Sequence, residues 1–173
     1  MNRNTTKNNS ACPAKGEGYA ILETLFYISL FAIFSITIIN SMIMMTKAFK
    51  ETTIQAELAQ GGNILERISR EIRNAYGINA LAANSLKLNT TDEAGANKTV
   101  EFSLSASNAR LLENDVFTGN MNTQNISVVD LSFTQLTTAN GLAVKMFLSV
   151  RSNRDLQNRT ANFYDTVVLR GSY

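Results

Sequence analysis

Two acidic groups in this chain have the residue types that metal binding or acid–base chemistry requires. Asp92 and Glu93 stand between Asn89 and Asn97 in a glycine-containing loop, where they could offer oxygen ligands to calcium. Calcium takes six to eight oxygens, and two adjacent carboxylates do not make such a site. We therefore predict a solvated turn there, with no metal.

Glu113 and Asp115 are the second acidic group. They could form an acid–base pair, but two alternate residues of a surface strand commonly carry this pattern. The chain has no histidine and one cysteine, which removes Ser-His and Cys-His nucleophile pairs, an intrachain disulfide and a multi-cysteine metal site. We expect neither an enzyme nor a cofactor.

Nucleic-acid binding is also disfavoured by the charge balance. The chain has 16 basic and 14 acidic residues. Three of the basic ones and one of the acidic ones lie in residues 1–18, which leaves 13 of each sign and no net attraction to phosphate. Arg151, Arg154 and Arg159 cluster with Asp155 in one stretch, which we interpret as a solvated loop, with a partner contact as the alternative.

A long uncharged segment dominates the first third of the chain. The 23 residues Thr24–Thr46 carry no charge and are apolar on all sides of a helix. Such a helix is roughly 35 Å long, enough to cross a hydrocarbon core of about 30 Å. A buried central helix is the alternative, but it needs a larger protein around it. We predict a membrane span.

Residues 1–18 are polar, with Arg3, Lys7 and Lys15 against one acidic residue, Glu17. This positive charge predicts a cytoplasmic N-terminus and an outward C-terminus. At the junction, Gly18 ends the polar leader, Tyr19 begins an apolar run, and Glu23 follows the glycine by five residues.

The junction resembles the prepilin signature of type IV pilins and type II secretion pseudopilins. That resemblance implies cleavage between Gly18 and Tyr19 by a membrane aspartic prepilin peptidase, then N-methylation of Tyr19. Gly16 is a rival cleavage site, but only Gly18 has the five-residue spacing to Glu23. The resemblance also implies that Glu23 pairs with the freed amine of Tyr19 in a neighbouring subunit and sets the axial register. The alternative is that Glu23 snorkels to the membrane surface.

Beyond Lys47 the pattern becomes amphipathic. Apolar residues and one glycine recur with 4-3-4-3-4-3 spacing, which predicts one helix face packed on a core. They are Ile54, Leu58, Gly61, Leu65, Ile68, Ile72 and Ala75. We predict a helix over residues 19–76 that stops near Gly77. Gly61 lies on the apolar face, so a closely approaching strand or a kink at Gly61-Gly62 would explain it.

Short β-type runs follow the helix. They are Ser85–Leu88, Thr99–Leu104, Arg110–Leu112, Ile126–Leu136, Leu142–Val150 and Asp165–Leu169, with a loop over Arg151–Arg159. The predicted fold class is α+β, with a long N-terminal helix, transmembrane and then amphipathic, packed on an antiparallel sheet. Within the pilin family, residues 64–76, 128–133, 142–150 and 163–170 resemble J-type minor pseudopilins and W-type minor pilins.

The predicted domains are a leader removed by the peptidase (1–18), the transmembrane half of the helix (19–46) and a periplasmic pilin-like α+β domain (47–173). The resemblance implies a minor pilin or pseudopilin in the bacterial inner membrane, single-pass, which later enters a filament near its tip. Its expected partners are the prepilin peptidase, other minor and major pilins or pseudopilins, the inner-membrane assembly platform and membrane lipid. The alternative is a signal-anchored envelope protein whose β domain binds a ligand. The sequence leaves open which machine the subunit serves.

Overall fold

A computed structural model describes residues 17–138 and 141–169 of the chain. One helix is followed by eight strands. Their bounds are α1 (Glu17–Asn74), β1 (Gly77–Ala82), β2 (Ser85–Thr91), β3 (Asn97–Ser105), β4 (Asn108–Glu113), β5 (Val116–Asn120), β6 (Ile126–Thr138), β7 (Gly141–Ser152) and β8 (Thr160–Val168). The fold is therefore α+β.

The strands form two antiparallel sheets in which every strand pairs with its neighbours in sequence. The first sheet has the order β1-β2-β3-β4-β5, and the second has the order β6-β7-β8. All six predicted strands are present, but β1 and β5 were not predicted, and one sheet was expected rather than two. Both missed strands lie at the edges of the first sheet and are largely exposed, so they carry little of the alternating pattern that reveals a strand.

The chain divides into two compact units, one ending at Phe49 and one beginning at Lys50. In the second unit, the predicted apolar face of α1 is buried in the core, including Ile68 and Ile72, which have no exposed surface. The opposing core residues come from both sheets, among them Leu86 and Phe102 of the first and Leu131 and Leu148 of the second. The helical periodicity of residues 54–75 thus identified the packed face.

The helix ends at Asn74, three residues before the predicted stop. Gly77 does not cap it; Gly77 is the first residue of β1 and pairs with Asn89 of β2. The backbone N–H of Tyr76 donates to the carbonyl of Asn89 at 3.0 Å. Backbone hydrogen bonds to β2 therefore begin directly after the last helical turn. The helix ends there without a glycine cap.

Gly61 lies where Phe163 and Val150 of the second sheet approach α1 closely. A Cβ built on Gly61 would come within 2.4 Å of the Phe163 ring and 3.0 Å of a Val150 methyl group. The helix is uninterrupted through Gly61 and Gly62. Of the two explanations offered for Gly61, the close approach is supported by these distances.

Candidate functional site at the start of the apolar helix

The predicted cleavage junction lies in the first turn of α1, which begins at Glu17. Gly18 and Tyr19 are both helical, and Tyr19 has 79 % of its surface exposed. The leader residues Arg3, Lys7 and Lys15, and the rival cleavage site Gly16, lie outside the described residues. The structure therefore describes the site from Glu17 onwards.

Glu23 is the only charged residue between residues 19 and 46, and it lies one helical turn before Tyr27. The Tyr27 hydroxyl donates a hydrogen bond to Oε1 of Glu23 at 3.2 Å. A donor at this position offsets part of the cost of placing a carboxylate beside lipid, and it leaves Oε2 available to a second partner. Sequence reasoning missed Tyr27, although the i,i+4 spacing was available as a signal.

The other polar residues of this segment mostly satisfy their hydrogen bonds within their own helix. Six hydroxyl side chains donate to backbone carbonyls three or four residues earlier, at distances of 2.8 to 2.9 Å; these are Thr24, Ser29, Ser35, Thr37, Ser41 and Thr46. Such bonds remove the need for water, so these hydroxyls are compatible with a hydrocarbon environment.

The apolar side chains of the first unit have no cover within the described chain. Large exposed residues occur throughout, from Tyr19 and Ile21 to Met45 and Phe49. A soluble monomer rarely exposes so large an apolar surface. By length and composition, the helix could cross a membrane once. This is a candidate single-pass anchor near the N-terminus.

A second cluster of charged residues occurs in the second unit, in the β7–β8 loop. Arg159 donates through Nη1 and Nη2 to the two carboxylate oxygens of Glu51, both at 2.8 Å, and through Nε to Asp155 at 2.9 Å. The hydrogen bond from Arg159 lowers the pKa of Glu51 from 4.5 to about 2, with a smaller contribution from Gln55. The same guanidinium lowers the pKa of Asp155 from 3.8 to about 2.

Glu57 of α1 is a buried carboxylate that contacts the end of β7 and the β7–β8 loop. Glu57 has only 5 % of its surface exposed. The Ser152 hydroxyl donates to its Oε2 at 2.5 Å, and Nε of Arg154 lies 3.4 Å from its Oε1. The loop is shorter than the predicted Arg151–Arg159, because Arg151 and Ser152 belong to β7. It is largely exposed, as expected of a solvated loop, but ion pairs of Arg154 and Arg159 join it to α1.

The two acidic groups considered first have local partners. Asp115, in the β4–β5 turn, pairs with Lys87 of β2 at 2.5 Å, and Glu113 of β4 pairs with Lys98 of β3 at 3.8 Å. Each carboxylate therefore faces a lysine rather than the other acid. Asp92 accepts the backbone N–H of Ala96 at 2.8 Å and so stabilises the β2–β3 turn. Within residues 17–138 and 141–169, no three Asp, Glu, His or Cys side chains are grouped to hold a metal ion.

The candidate site therefore consists of the Gly18–Tyr19 junction, the Glu23–Tyr27 pair and the exposed apolar surface that follows. Such a surface is suited to contact with other apolar helices or with lipid. Comparison with protein-family models, with curated proteins and with solved structures finds no match to this chain.

Proposed function

We propose that this chain is a minor pilin or pseudopilin, a structural subunit of a type II secretion pseudopilus or a type IV pilus. In this proposal a prepilin peptidase removes residues 1–18, Tyr19 becomes the methylated N-terminus, and the subunit leaves the inner membrane to enter a filament near its tip. The subunit catalyses no reaction. Its partners are other pilins or pseudopilins, the assembly platform and membrane lipid.

The observation that carries the proposal is the junction itself. Gly18 is followed directly by an apolar helix, with Glu23 as the only charged residue in residues 19–46. A carboxylate is not needed to hold a helix in lipid, and its burial there is costly unless it has a partner. A new amine at Tyr19 of a neighbouring subunit is a suitable partner, because an opposite charge in a low-dielectric environment interacts strongly.

The α+β unit supports the same proposal. Residues 50–74 of α1 pack against both antiparallel sheets, while the apolar residues before them remain exposed. A folded α+β unit and an uncovered apolar helical segment are the two parts that a pilin-like subunit needs. The resemblance of residues 64–76, 128–133, 142–150 and 163–170 to J-type and W-type minor subunits favours a minor component, and the J-type secretion subunit is the form we favour.

Cleavage in the presence of a prepilin peptidase tests the proposal. Changing Gly18→Leu should leave a full-length precursor, because the peptidase requires a small residue before the cut. The matched control is Gly16→Leu, which should be cut as efficiently as the unchanged chain. Normal cutting of the Gly18 variant would refute the proposal and favour a signal-anchored envelope protein with a ligand-binding β domain.

A further inference from the structure

Asn40 differs from the other polar residues of the apolar helix. The hydroxyl groups described above bond to carbonyls of their own helix, and Tyr27 bonds to Glu23. The side-chain amide of Asn40 makes no hydrogen bond to any residue in the described part of the chain, although it offers two donors and an acceptor. Among the described residues 20–46, it is the one polar side chain without a hydrogen bond to the described part of the chain.

The position of Asn40 makes the unused amide costly. It lies six residues before Thr46, the last residue of the uncharged segment, so it is roughly 9 Å from that end of the helix. An asparagine side chain is too short to reach water from this depth, unlike lysine or arginine. An amide without a partner in hydrocarbon is unfavourable, which favours a bound state in which another helix supplies the partner.

We propose that Asn40 is the central contact of a parallel self-association of this helix, in which the amides of two copies hydrogen-bond to each other. A second copy fits for two reasons. Both copies insert with the same orientation, so their Asn40 residues lie at the same depth. A primary amide is both donor and acceptor, so two of them form a complementary pair without any other residue.

The residues around Asn40 provide a packing surface of the right kind. One line along the helix has 4-3-4-3-4-3-4 spacing, the repeat that keeps the same face toward a parallel partner. It consists of Leu22, Phe26, Ser29, Ile33, Ile36, Asn40, Ile43 and Lys47. The isoleucines on this line are exposed, and β-branched residues at such positions pack well in helix pairs. A polar residue at one such position also fixes the register of the pair.

Energy transfer between labelled full-length chains tests the proposal. Cys12, the only cysteine, accepts a donor or an acceptor dye, and the two preparations are mixed in phosphatidylethanolamine–phosphatidylglycerol vesicles at increasing lipid dilution. Asn40→Leu should weaken association about five- to thirtyfold, the effect expected for one interhelical amide contact. Asn40→Gln should retain most of it. The matched control is Ser41→Ala, which removes a hydroxyl already bonded to Thr37 and should change nothing.

Cysteine cross-linking tests which face of the helix contacts the second copy. In a Cys12→Ser background, Ile36→Cys should form a disulfide dimer on mild oxidation, whereas Ile38→Cys, at similar depth on the opposite side of the helix, should not. Equal cross-linking at both positions would overturn the proposed surface. Equal association of the Asn40→Leu and Ser41→Ala variants would overturn the role of Asn40. So would the finding that two copies associate only when a different pilin subunit is present.

This inference rests on the membrane insertion in the proposed function but not on cleavage. The vesicle experiment uses the uncut precursor. If the chain self-associates normally but no prepilin peptidase cuts it, only the pilin proposal is contradicted. Efficient cutting at Gly18 without self-association would contradict only the role of Asn40.

Discussion

Arg159 and Glu51, which are 108 positions apart in the sequence, form a bidentate ion pair with both nitrogen–oxygen distances at 2.8 Å. The pair joins the β7–β8 loop to the first turns of the helix in the second unit. Further along α1, Glu57 meets Ser152 and Gly61 meets Phe163. These contacts fix how β7 and β8 lie along residues 51–61 of the helix.

The ion pair predicts an acid-sensitive contribution to stability. The pKa of Glu51 is lowered from 4.5 to about 2 by the hydrogen bond from Arg159, so the folded state favours the charged form. A lowered carboxyl pKa stabilises the fold above the unfolded value and loses that effect as the pH falls toward the folded value. We expect this contribution to be complete above about pH 4.5 and to disappear by about pH 2.

Thermal unfolding of the full chain and of Glu51→Gln, both in detergent, measures this contribution. The variant should be less stable at pH 7, and the difference between the two proteins should shrink as the pH falls from 4.5 to 2. A difference that stays constant over this range would show that the Glu51 charge does not stabilise the fold. Glu66→Gln is the control, because its partner Arg70 is an exposed neighbour in the same helix.

The neighbouring glycines Gly61 and Gly62 should respond differently to alanine. A Cβ at Gly61 would lie 2.4 Å from the Phe163 ring, so Gly61→Ala must displace the ring or the strand and should cost about 1–3 kcal/mol. At Gly62 the nearest atom is 3.7 Å away, and Gly62→Ala should stabilise the helix by up to about 1 kcal/mol. Denaturant unfolding compares the two. Equal effects would contradict the close approach at Gly61.

Glu23 should matter for assembly and not for cleavage. Glu23→Gln keeps an oxygen that can accept the Tyr27 hydrogen bond but removes the charge. In the proposed function, this variant is cut at Gly18 but fails to join other pilin subunits, because the amine of Tyr19 in the neighbour has no counter-charge. Co-purification with the other subunits measures the loss. Thr24→Ala is the control, since its hydroxyl bonds only to Ala20, and equal recovery of both variants would rule out the charge pairing.

The helix of the second unit was predictable because its pattern is local. The 4-3 spacing from Ile54 to Ala75 repeats often enough to define one face, and that face is the buried one. The longer strands were predictable for the same reason, since β6 and β7 alternate over many residues. The edge strands β1 and β5 were not, because a short exposed strand has no buried face to reveal it.

The charged contacts of the β7–β8 loop could not be predicted from sequence. Glu57 and Ser152 are 95 positions apart, and nothing local in either segment indicates that they meet. The basic residues of the loop look like a solvated cluster until the helix carboxylates are placed beside them. By contrast, the junction at Gly18 was predicted from spacing within six residues, and it stays a prediction.

The mass of the N-terminal peptide tests the central claim most directly. The chain is purified from cells that contain a prepilin peptidase, and its N-terminal peptide is sequenced by mass spectrometry. The proposed function predicts a chain that begins with N-methylated Tyr19 and lacks residues 1–18. A chain that keeps those residues intact, with Gly18 still joined to Tyr19, would contradict it.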